Sequence, residues 1–395
     1  MIEIEPFRID VPDAVLDDLR ARIRATRWPE PAPGEPWAQG TDLAYLRELC
    51  EHWADEFDWR RVEAQLNRLP QFVTSIEGQR LHFVHVRSPH EGALPLVLSH
   101  GWPGTFAEFV DVIGPLTDPT AHGGDAADAF HVVCPSLPGF VFSGPTREPG
   151  WTPHRMAGAL VELMDALGYE HFGAQGGDWG AMVSSQLGQV APHRVVGIHL
   201  NLVIAPPPRD GDPMAGLSER EREQVESMRA RGRDEMGYQQ IQSTRPQTLS
   251  VGLNDSPVGL AAWIVEKYRA WGDCVRPDGV RDVERRFSKD TLLTCVTLYW
   301  ITSTIASANR LYAEARRAGV GASRPEGRVP VPMGYARFPA DGFTPPRAWV
   351  ERQYDVVHWS ELPEGGHFPA LEVPQLLVDD IRTFFRPLRE TAVGA

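Results

Sequence analysis

The sequence predicts an α/β protein in which helices cover a largely parallel sheet and a helical segment interrupts the chain between strands. Short apolar runs at Leu94–Leu98, Phe130–Cys134 and His171–Gln175 are separated by helical patterns, which is typical of parallel strands joined by helices. Strand-like sequence then disappears from about Pro206 to Arg324 and returns at Val329–Met333. We therefore expect a helical cap over the carboxyl edge of the sheet, where such folds bind ligands.

Three helices are predicted ahead of the sheet. Apolar residues recur at helical spacing in Pro12–Trp28, Leu43–Asp55 and Trp59–Leu69. A proline-rich connector at 29–40 separates the first helix from the second. Alternating residues in Gln71–Ile76 and Leu81–Val86, on either side of Glu77-Gly78, then predict a hairpin of two strands.

The remaining elements continue the alternation of strand and helix. Helical patterns cover Met156–Leu167 and Ala181–Val190, and Val195–Leu200 has the composition of a further strand. Beyond the cap, Asp355–Trp359 is predicted as a strand, and a last helix spans about Val373–Phe385. The chain is thus expected to return to the sheet after the cap.

Charge and cysteine content argue against a nucleic-acid partner, a disulfide framework and a thiolate zinc site. The 395 residues include 53 acidic and 39 basic side chains, for a formal net charge of −14. Because so acidic a surface repels phosphate backbones, nucleic acid is not expected as a partner. The 4 cysteines are too few and too scattered for a disulfide framework, and none forms a C-x-x-C pair. A thiolate zinc site is therefore also disfavoured.

Two segments determine the expected location of the protein. The first residues, Met-Ile-Glu-Ile-Glu-Pro, contain neither the basic nor the apolar region of a secretory signal. The stretch from Thr291 to Asn309 carries no charge, but its many Ser and Thr residues weaken it as a membrane span. We predict a buried helix there, and we expect a cytoplasmic protein without a membrane partner.

The segment Gly176-Gly177-Asp178-Trp179-Gly180 lies between a predicted strand and a predicted helix, which is the position of a nucleophile elbow of pattern G-x-Nuc-x-G. The glycines suit a bend whose backbone and helix approach too closely for Cβ atoms. A carboxylate at the central position attacks an sp³ carbon to form an alkyl ester, and it is already ionised at neutral pH. The alternative is a glycine-rich turn in which Asp178 caps the following helix.

An oxyanion hole is expected in the loop after the Leu94–Leu98 strand. That loop reads His100, Gly101, Trp102, Pro103 and Gly104. The backbone N–H groups of Trp102 and of Trp179, the residue after the nucleophile, are expected to converge on one oxygen. The alternative is an ordinary Pro-Gly turn.

The expected base and its orienting acid come late in the chain, in the order nucleophile, acid, base that hydrolases of this type show. His367 lies in a Gly-Gly-His-Phe loop after the last predicted strand. Asp341 follows the strand at 329–333 and is the favoured acid, which would hold the imidazole tautomer. Asp355 and Glu361 remain rivals, and the alternatives are a surface histidine and an Asp-Gly turn.

These motifs give the chain a resemblance to epoxide hydrolases of the α/β-hydrolase fold, in particular the microsomal and juvenile-hormone type with an N-terminal extension. The matching strings are 100–104, 176–180, 365–368 and, in the cap, 237–246 and 254–262. The resemblance extends over nearly the whole chain. It implies an N-terminal extension at 1–85, a hydrolase core at 86–205 and 326–395, and a helical cap at 206–325.

The resemblance also implies two cap tyrosines that act as electrophilic acids. Tyr238 matches the first by its long surrounding string, and Tyr312 matches the second by a shorter one, with Tyr299 as its rival. Ring opening creates an alkoxide, and two phenols can donate hydrogen bonds or a proton to it while remaining neutral at pH 7. The alternative for each tyrosine is an aromatic side chain packed in the cap.

The expected activity is conversion of a small apolar epoxide and water into a vicinal diol, without a metal or organic cofactor, in a possible homo-oligomer. A haloalkane dehalogenase with the same Asp nucleophile is the chemical alternative, and a non-catalytic ligand-binding protein is the alternative of a different class. Cap aromatic residues are candidates for an apolar pocket, although tryptophans are more often core residues: Trp263, Trp271, Phe287 and Trp300.

Overall fold

The computed structural model describes residues 2–208, 210–319 and 325–393. Within them, nine strands form one sheet in the order β1-β2-β3-β5-β4-β6-β7-β8-β9. The strands are β1 (Ile4–Phe7), β2 (Gln71–Ile76), β3 (Gln79–Val86), β4 (Leu94–Ser99), β5 (Phe130–Pro135), β6 (Phe172–Gly176), β7 (Val195–Leu200), β8 (Pro332–Arg337) and β9 (Asp355–Glu361). The pairs from β1 to β5 are antiparallel and the pairs from β5 to β9 are parallel. The predicted α/β class is confirmed.

The helices fall into three groups along the chain. The first group precedes the hairpin and comprises α1 (Asp13–Arg24), α2 (Leu43–Asp55) and α3 (Trp59–Leu66). The sheet is covered by α4 (Val110–Thr117), α5 (Pro153–Ala166), α6 (Asp178–Val190), α13 (Arg347–Val350), α14 (Pro369–Glu372) and α15 (Pro374–Val393). The helices between β7 and β8 are α7 (Glu219–Glu235), α8 (Gly237–Thr244), α9 (Pro246–Asp255), α10 (Pro257–Trp271), α11 (Lys289–Thr302) and α12 (Ile305–Ala318).

Several elements differ from the sequence prediction. The strand after the cap spans Pro332–Arg337 rather than Val329–Met333, and α4, α13 and α14 were not predicted. Strand β1 was not predicted, because Ile4–Phe7 is too short and too polar to signal a strand and forms only by pairing with β2 at the sheet edge. The single buried helix predicted at Thr291–Asn309 is wrong: the segment forms α11 and α12, which meet at 90°. Ser303 at the junction has a φ of 52°, a left-handed conformation that ends a helix.

Within the described residues, the bent pair α11 and α12 is the one part of the chain that meets the length and composition of a membrane span. Among the described residues, no single helix has the length and apolar character to cross a bilayer, although α11 and α12 taken together meet the same criterion of length and composition.

The first group of helices braces the cap from outside. The Trp53 indole N–H donates to Thr297 Oγ1 at 3.0 Å in a buried contact between α2 and α11. The Thr41 hydroxyl donates to the carbonyl of Ala262 in α10 at 2.7 Å. These bonds fix two cap helices to the segment between β1 and β2, so the cap position does not depend on its own two connections alone.

A buried polar network joins the sheet to the last helix. Asp380 on α15 accepts from His199 on β7 at 2.8 Å and from His358 on β9 at 2.9 Å, and from the Ser360 hydroxyl. Burial raises the pKa of Asp380, but the two histidines outweigh burial and hold that pKa well below its usual range. The ionised carboxylate is therefore favoured in the folded protein, which stabilises it above the pKa of an unfolded aspartate.

We expect Asp380→Asn to lower the free energy of unfolding by about 2 kcal/mol at pH 7, because it removes a charged acceptor from the buried imidazole of His199 and the half-buried imidazole of His358. The loss should shrink as the pH falls below about 4, where Asp380 of the unfolded chain takes up its proton. Urea denaturation between pH 3 and 8 measures both quantities. Asp379→Asn, on the same helix but exposed, is the matched control and should change stability by less than about 0.5 kcal/mol; equal losses would contradict the role of the network.

Candidate active site

A sharp bend between β6 and α6 presents Asp178 at the carboxyl end of the sheet. Asp178 has a φ of 48°, a left-handed conformation that non-glycine residues adopt at a cost. A Cβ on Gly176 would overlap the carbonyl of Gly180, and a Cβ on Gly180 would overlap the carbonyl of Ser99. The predicted need for glycines is confirmed. Gly177, not Asp178, is the residue before the helix, and no side-chain cap is formed, so the helix-cap alternative is wrong.

The oxyanion loop contacts the Asp178 carboxylate through one backbone donor. The Trp102 N–H donates to Asp178 Oδ1 at 2.7 Å. A Cβ on Gly101 would overlap the same carboxylate, so glycine is required for this approach. Within the described residues the Trp179 N–H makes no hydrogen bond to Asp178 Oδ1 and remains one of the unpaired donors of the first turn of α6.

Two residues of the same loop face away from Asp178. Both ring nitrogens of His100 are bound to backbone, to the Gly101 carbonyl at 3.0 Å and to the Leu137 N–H at 3.1 Å. Burial lowers the pKa of His100 to about 4, so the ring is neutral. The carbonyl of Pro103 accepts from the Cys295 thiol at 3.0 Å. His100 and Pro103 therefore hold the loop in place and do not line the substrate cavity described below.

His367 lies between two carboxylates. Its Nδ1 is 3.3 Å from Asp341 Oδ2, and its Nε2 is 3.4 Å from Asp178 Oδ2. Burial lowers the pKa of His367, but Asp341 and Asp178 outweigh burial and raise it to about 10. The imidazole is therefore protonated in the resting protein at pH 7. The His367 backbone N–H donates to the Trp271 carbonyl at 3.1 Å, which fixes the loop.

The geometry selects Asp341 over its rivals as the acid that orients His367. The second oxygen of Asp341 accepts from the Phe343 N–H at 3.0 Å, so both carboxylate oxygens have a partner. Asp355 and Glu361 lie at the exposed ends of β9 and form ion pairs with arginines instead.

Two cap tyrosines face Asp178, and a third does not. The rings of Tyr238 and Tyr312 lie 5.8 Å apart; Tyr238 stacks on Trp102 at 5.1 Å, and Tyr312 meets Trp179 edge-on at 4.8 Å. Burial is the main cause that raises the pKa of both phenols, and the charge of Asp178 adds to it, so both are neutral donors at pH 7. The hydroxyl of Tyr299 donates to the Gly104 carbonyl at 2.9 Å instead.

A largely apolar cavity of about 110 Å³ joins the two phenols to Asp178 and His367. Its wall includes the side chains Met182, Leu202, Ile204, Met236, Trp271 and Phe343. Of the aromatic candidates for an apolar pocket, only Trp271 lies here. Phe287 packs against Tyr268, Trp263 donates to Gln242, and Trp300 lies in an outer groove beside α1.

Sequence reasoning missed the groups on the other side of the Asp178–His367 pair. Glu108 and Asn201 line a second, smaller cavity there. Glu108 lies in a short helical turn, Phe106–Phe109, where a polar residue gives no sequence signal of burial. No group of three or more His, Cys, Asp or Glu side chains suited to a metal ion occurs within the described ranges.

The comparisons with known sequences and structures agree on one family, the epoxide hydrolases. The sequence family described as Epoxide hydrolase N terminus matches residues 4–109, and the alpha/beta hydrolase fold family matches residues 95–225. A Stigmatella aurantiaca protein, provisionally named an epoxide hydrolase, is 46% identical over 98% of this chain and 86% of its own. Epoxide hydrolase 1 of Sus scrofa is 38% identical over 98% of this chain and 89% of its own. The Aspergillus niger epoxide hydrolase structure has a TM-score of 0.85 at 34% identity, over 98% of this chain and 97% of its own.

We expect Gly180→Ala to destabilise the protein by about 3 kcal/mol, since the added methyl group meets a backbone carbonyl that cannot move without shifting β4. Hydrolytic activity should fall with the displacement of Asp178. Gly158→Ala is the matched control: Gly158 lies within α5 and a Cβ there meets open space, so stability should rise by about 0.5–1 kcal/mol. Thermal unfolding of both variants measures the difference, and a neutral Gly180→Ala would contradict the close approach.

Proposed function

This chain belongs to the epoxide hydrolase family and is an epoxide hydrolase, and on that premise we propose that Asp178 is the nucleophile of a two-step reaction. The observation that carries the proposal is a carboxylate facing two neutral phenols across one apolar cavity. In the first step Asp178 Oδ2 attacks an epoxide carbon, the carbon–oxygen bond of the ring breaks, and a β-hydroxyalkyl ester forms on Asp178. Oδ1 keeps its bond from the Trp102 N–H.

The phenols of Tyr238 and Tyr312 receive the oxygen that leaves the ring. An alkoxide is a strong base, so a neutral phenol within hydrogen-bond reach transfers a proton to it as the ring opens. Two donors hold the epoxide oxygen in place before attack, which aligns the opposite face of the carbon with the carboxylate. Halide release has no such need for phenols, and the relatives at 46% and 38% identity are named as epoxide hydrolases.

The charge of Asp178 sets the protonation state of His367 in each step. With two flanking carboxylates the imidazole holds a proton, because its pKa is raised to about 10. Ester formation neutralises Asp178 and thereby lowers the pKa of His367. The proton that His367 gives up restores the phenol that protonated the substrate oxygen, and the imidazole becomes a neutral base.

The second step is hydrolysis of the ester. His367 takes a proton from water, the water oxygen bonds to Asp178 Cγ, and the negative charge develops on Oδ1 beside the Trp102 N–H. Collapse breaks the bond between Cγ and the alkyl oxygen while His367 returns its proton to that oxygen, which leaves as the second hydroxyl of the diol. His367 then takes the proton of the carboxylic acid that the water oxygen has formed on Cγ. The Asp178 carboxylate and the His367 imidazolium are regenerated, so no proton is gained or lost over the cycle.

The substrate is an epoxide with an apolar substituent. Methionine, leucine, isoleucine and phenylalanine side chains form the wall around the phenols, and this surface contributes binding energy only when it covers carbon groups. A cavity of about 110 Å³ beside the phenols has room for a compact apolar substituent.

We expect His367→Gln to form the ester and fail to hydrolyse it, because glutamine cannot take the proton from water. After incubation with styrene oxide, mass spectrometry should find one substrate mass on the proteolytic fragment that contains Asp178. Asp178→Asn is the control and should remain unmodified. In H₂¹⁸O, a single turnover by excess wild-type enzyme should label the Asp178 carboxylate; label in the diol instead would contradict the nucleophile.

We expect Tyr238→Phe and Tyr312→Phe each to slow ester formation by at least about 10-fold, since each removes one proton donor from the leaving oxygen. Rapid-quench measurement of the ester reports this step directly. Tyr299→Phe is the matched control, because it removes a buried phenol that is bonded to the Gly104 carbonyl outside the cavity. An equal loss of rate in Tyr299→Phe would contradict the assignment of the pair.

A further inference from the structure

A second cavity lies on the side of Asp178 and His367 that faces away from the phenols. Both side chains contribute to its wall, as they do to the substrate cavity, but neither tyrosine reaches it. Its interior has room for about one water molecule. A group bound here therefore contacts the nucleophile and the base without entering the substrate cavity.

Glycines bring polar groups to this cavity, whose wall is otherwise mostly apolar. Three of them line it, and a Cβ on each would collide with a polar side chain: Gly101 with the Asp178 carboxylate, Gly104 with the Glu108 carboxylate, and Gly177 with the Asn201 amide. The absence of side chains at these positions lets the polar atoms reach the cavity. A site of this size with several polar groups suits an ordered water rather than an apolar ligand.

Two polar groups that line this cavity, the His367 imidazole and the Glu108 carboxyl, have an atom without a hydrogen bond to the protein. His367 is 7% exposed, and its Nε2 atom is buried without a hydrogen bond, with only the longer ion-pair contact to Asp178. The Glu108 carboxyl forms no hydrogen bond or ion pair with any described residue. Because buried polar groups rarely remain unpaired, a water in this cavity accounts for His367 Nε2. The half-buried Glu108 carboxyl, which lines the same cavity, is a second partner for that water. Burial is the main cause that raises the pKa of Glu108 to about 8. The positive charge of His367 opposes this increase, and the negative charge of Asp178 adds to it.

Glu108 also borders an outer crevice of about 160 Å³ between α3, α4 and α11. Arg61, Asp290 and Thr294 line that crevice, and none of them lines the substrate cavity. When the ester occupies the substrate cavity, this crevice offers water a separate approach to Glu108.

We propose that the small cavity holds the hydrolytic water, and that Glu108 binds this water opposite His367 after it enters through the crevice. The inference rests on the ester intermediate of the proposed function. His367 Nε2 takes one proton of the water, its oxygen bonds to Asp178 Cγ, and the other hydrogen stays bonded to that oxygen and directed at Glu108. Glu108 gains and loses no proton over the step.

The test separates ester formation from ester hydrolysis by single-turnover kinetics with styrene oxide. Glu108→Leu should form the ester within about 2-fold of the wild-type rate and hydrolyse it at least about 10-fold more slowly, because the water loses one of its anchors. Glu108→Gln keeps an acceptor of similar shape and should recover most of the hydrolysis rate. In steady state, kcat and KM of Glu108→Leu should fall together, with kcat/KM nearly unchanged.

Two further variants test whether slower hydrolysis in Glu108→Leu reflects only a disturbed structure. Gly104→Ala places a methyl group where the Glu108 carboxylate lies and should produce the same selective loss of hydrolysis, so it decides the question if Glu108→Leu fails to fold. Glu162→Gln removes an exposed carboxylate on α5 and should leave both steps unchanged.

Each outcome has one interpretation. Ester hydrolysis at the wild-type rate in Glu108→Leu, or equal slowing of both steps, overturns the role of Glu108 while the ester on His367→Gln still supports Asp178 as nucleophile. Absence of ester from every variant, His367→Gln included, overturns the nucleophile and with it this inference.

Discussion

The conformation of one residue, Asp178, determines the arrangement of the site. Its positive φ turns the chain from β6 into α6 so tightly that Gly176 and Gly180 contact backbone where side chains would collide. Only this bend brings the carboxylate above the sheet edge, within reach of the Trp102 N–H and of His367. The strain of a left-handed aspartate is sustained because the packing of β4 against α6 allows no alternative.

The Asp178–His367 pair divides the region above the sheet into two compartments with different chemistry. The phenol side is apolar and accommodates the carbon groups of the substrate. The other side is small, and Glu108 and Asn201 bring polar groups to it. This arrangement matches a reaction whose two steps approach the same carboxyl group from different directions. The N-terminal segment supports this arrangement, because Trp53 and Thr41 form hydrogen bonds to two helices of the cap, and the cap carries the phenols.

The sequence predicted those site residues that lie in short, recognisable motifs. A glycine-flanked aspartate and a late Gly-Gly-His loop are specific patterns, and chain order favours Asp341 as the acid. Tyr312 and Tyr299 were not separable, because the 90° turn at Ser303 decides which faces the cavity. Glu108 had no signal, since its carboxyl occupies space that is free only because Gly104 lacks a side chain. The roles of His100 and Pro103 in holding the loop likewise follow from contacts with distant residues.

The stacking of Tyr238 on Trp102 has a spectroscopic consequence. An indole whose plane lies within 6° of the neighbouring phenol is electronically coupled to it, and transient charge on that phenol alters the emission of the indole. Trp271 and Trp179 are close to the same tyrosine pair. The protein therefore contains its own fluorophores at the point where bonds change, and stopped-flow fluorimetry can follow individual turnovers without a dye or a chromogenic substrate.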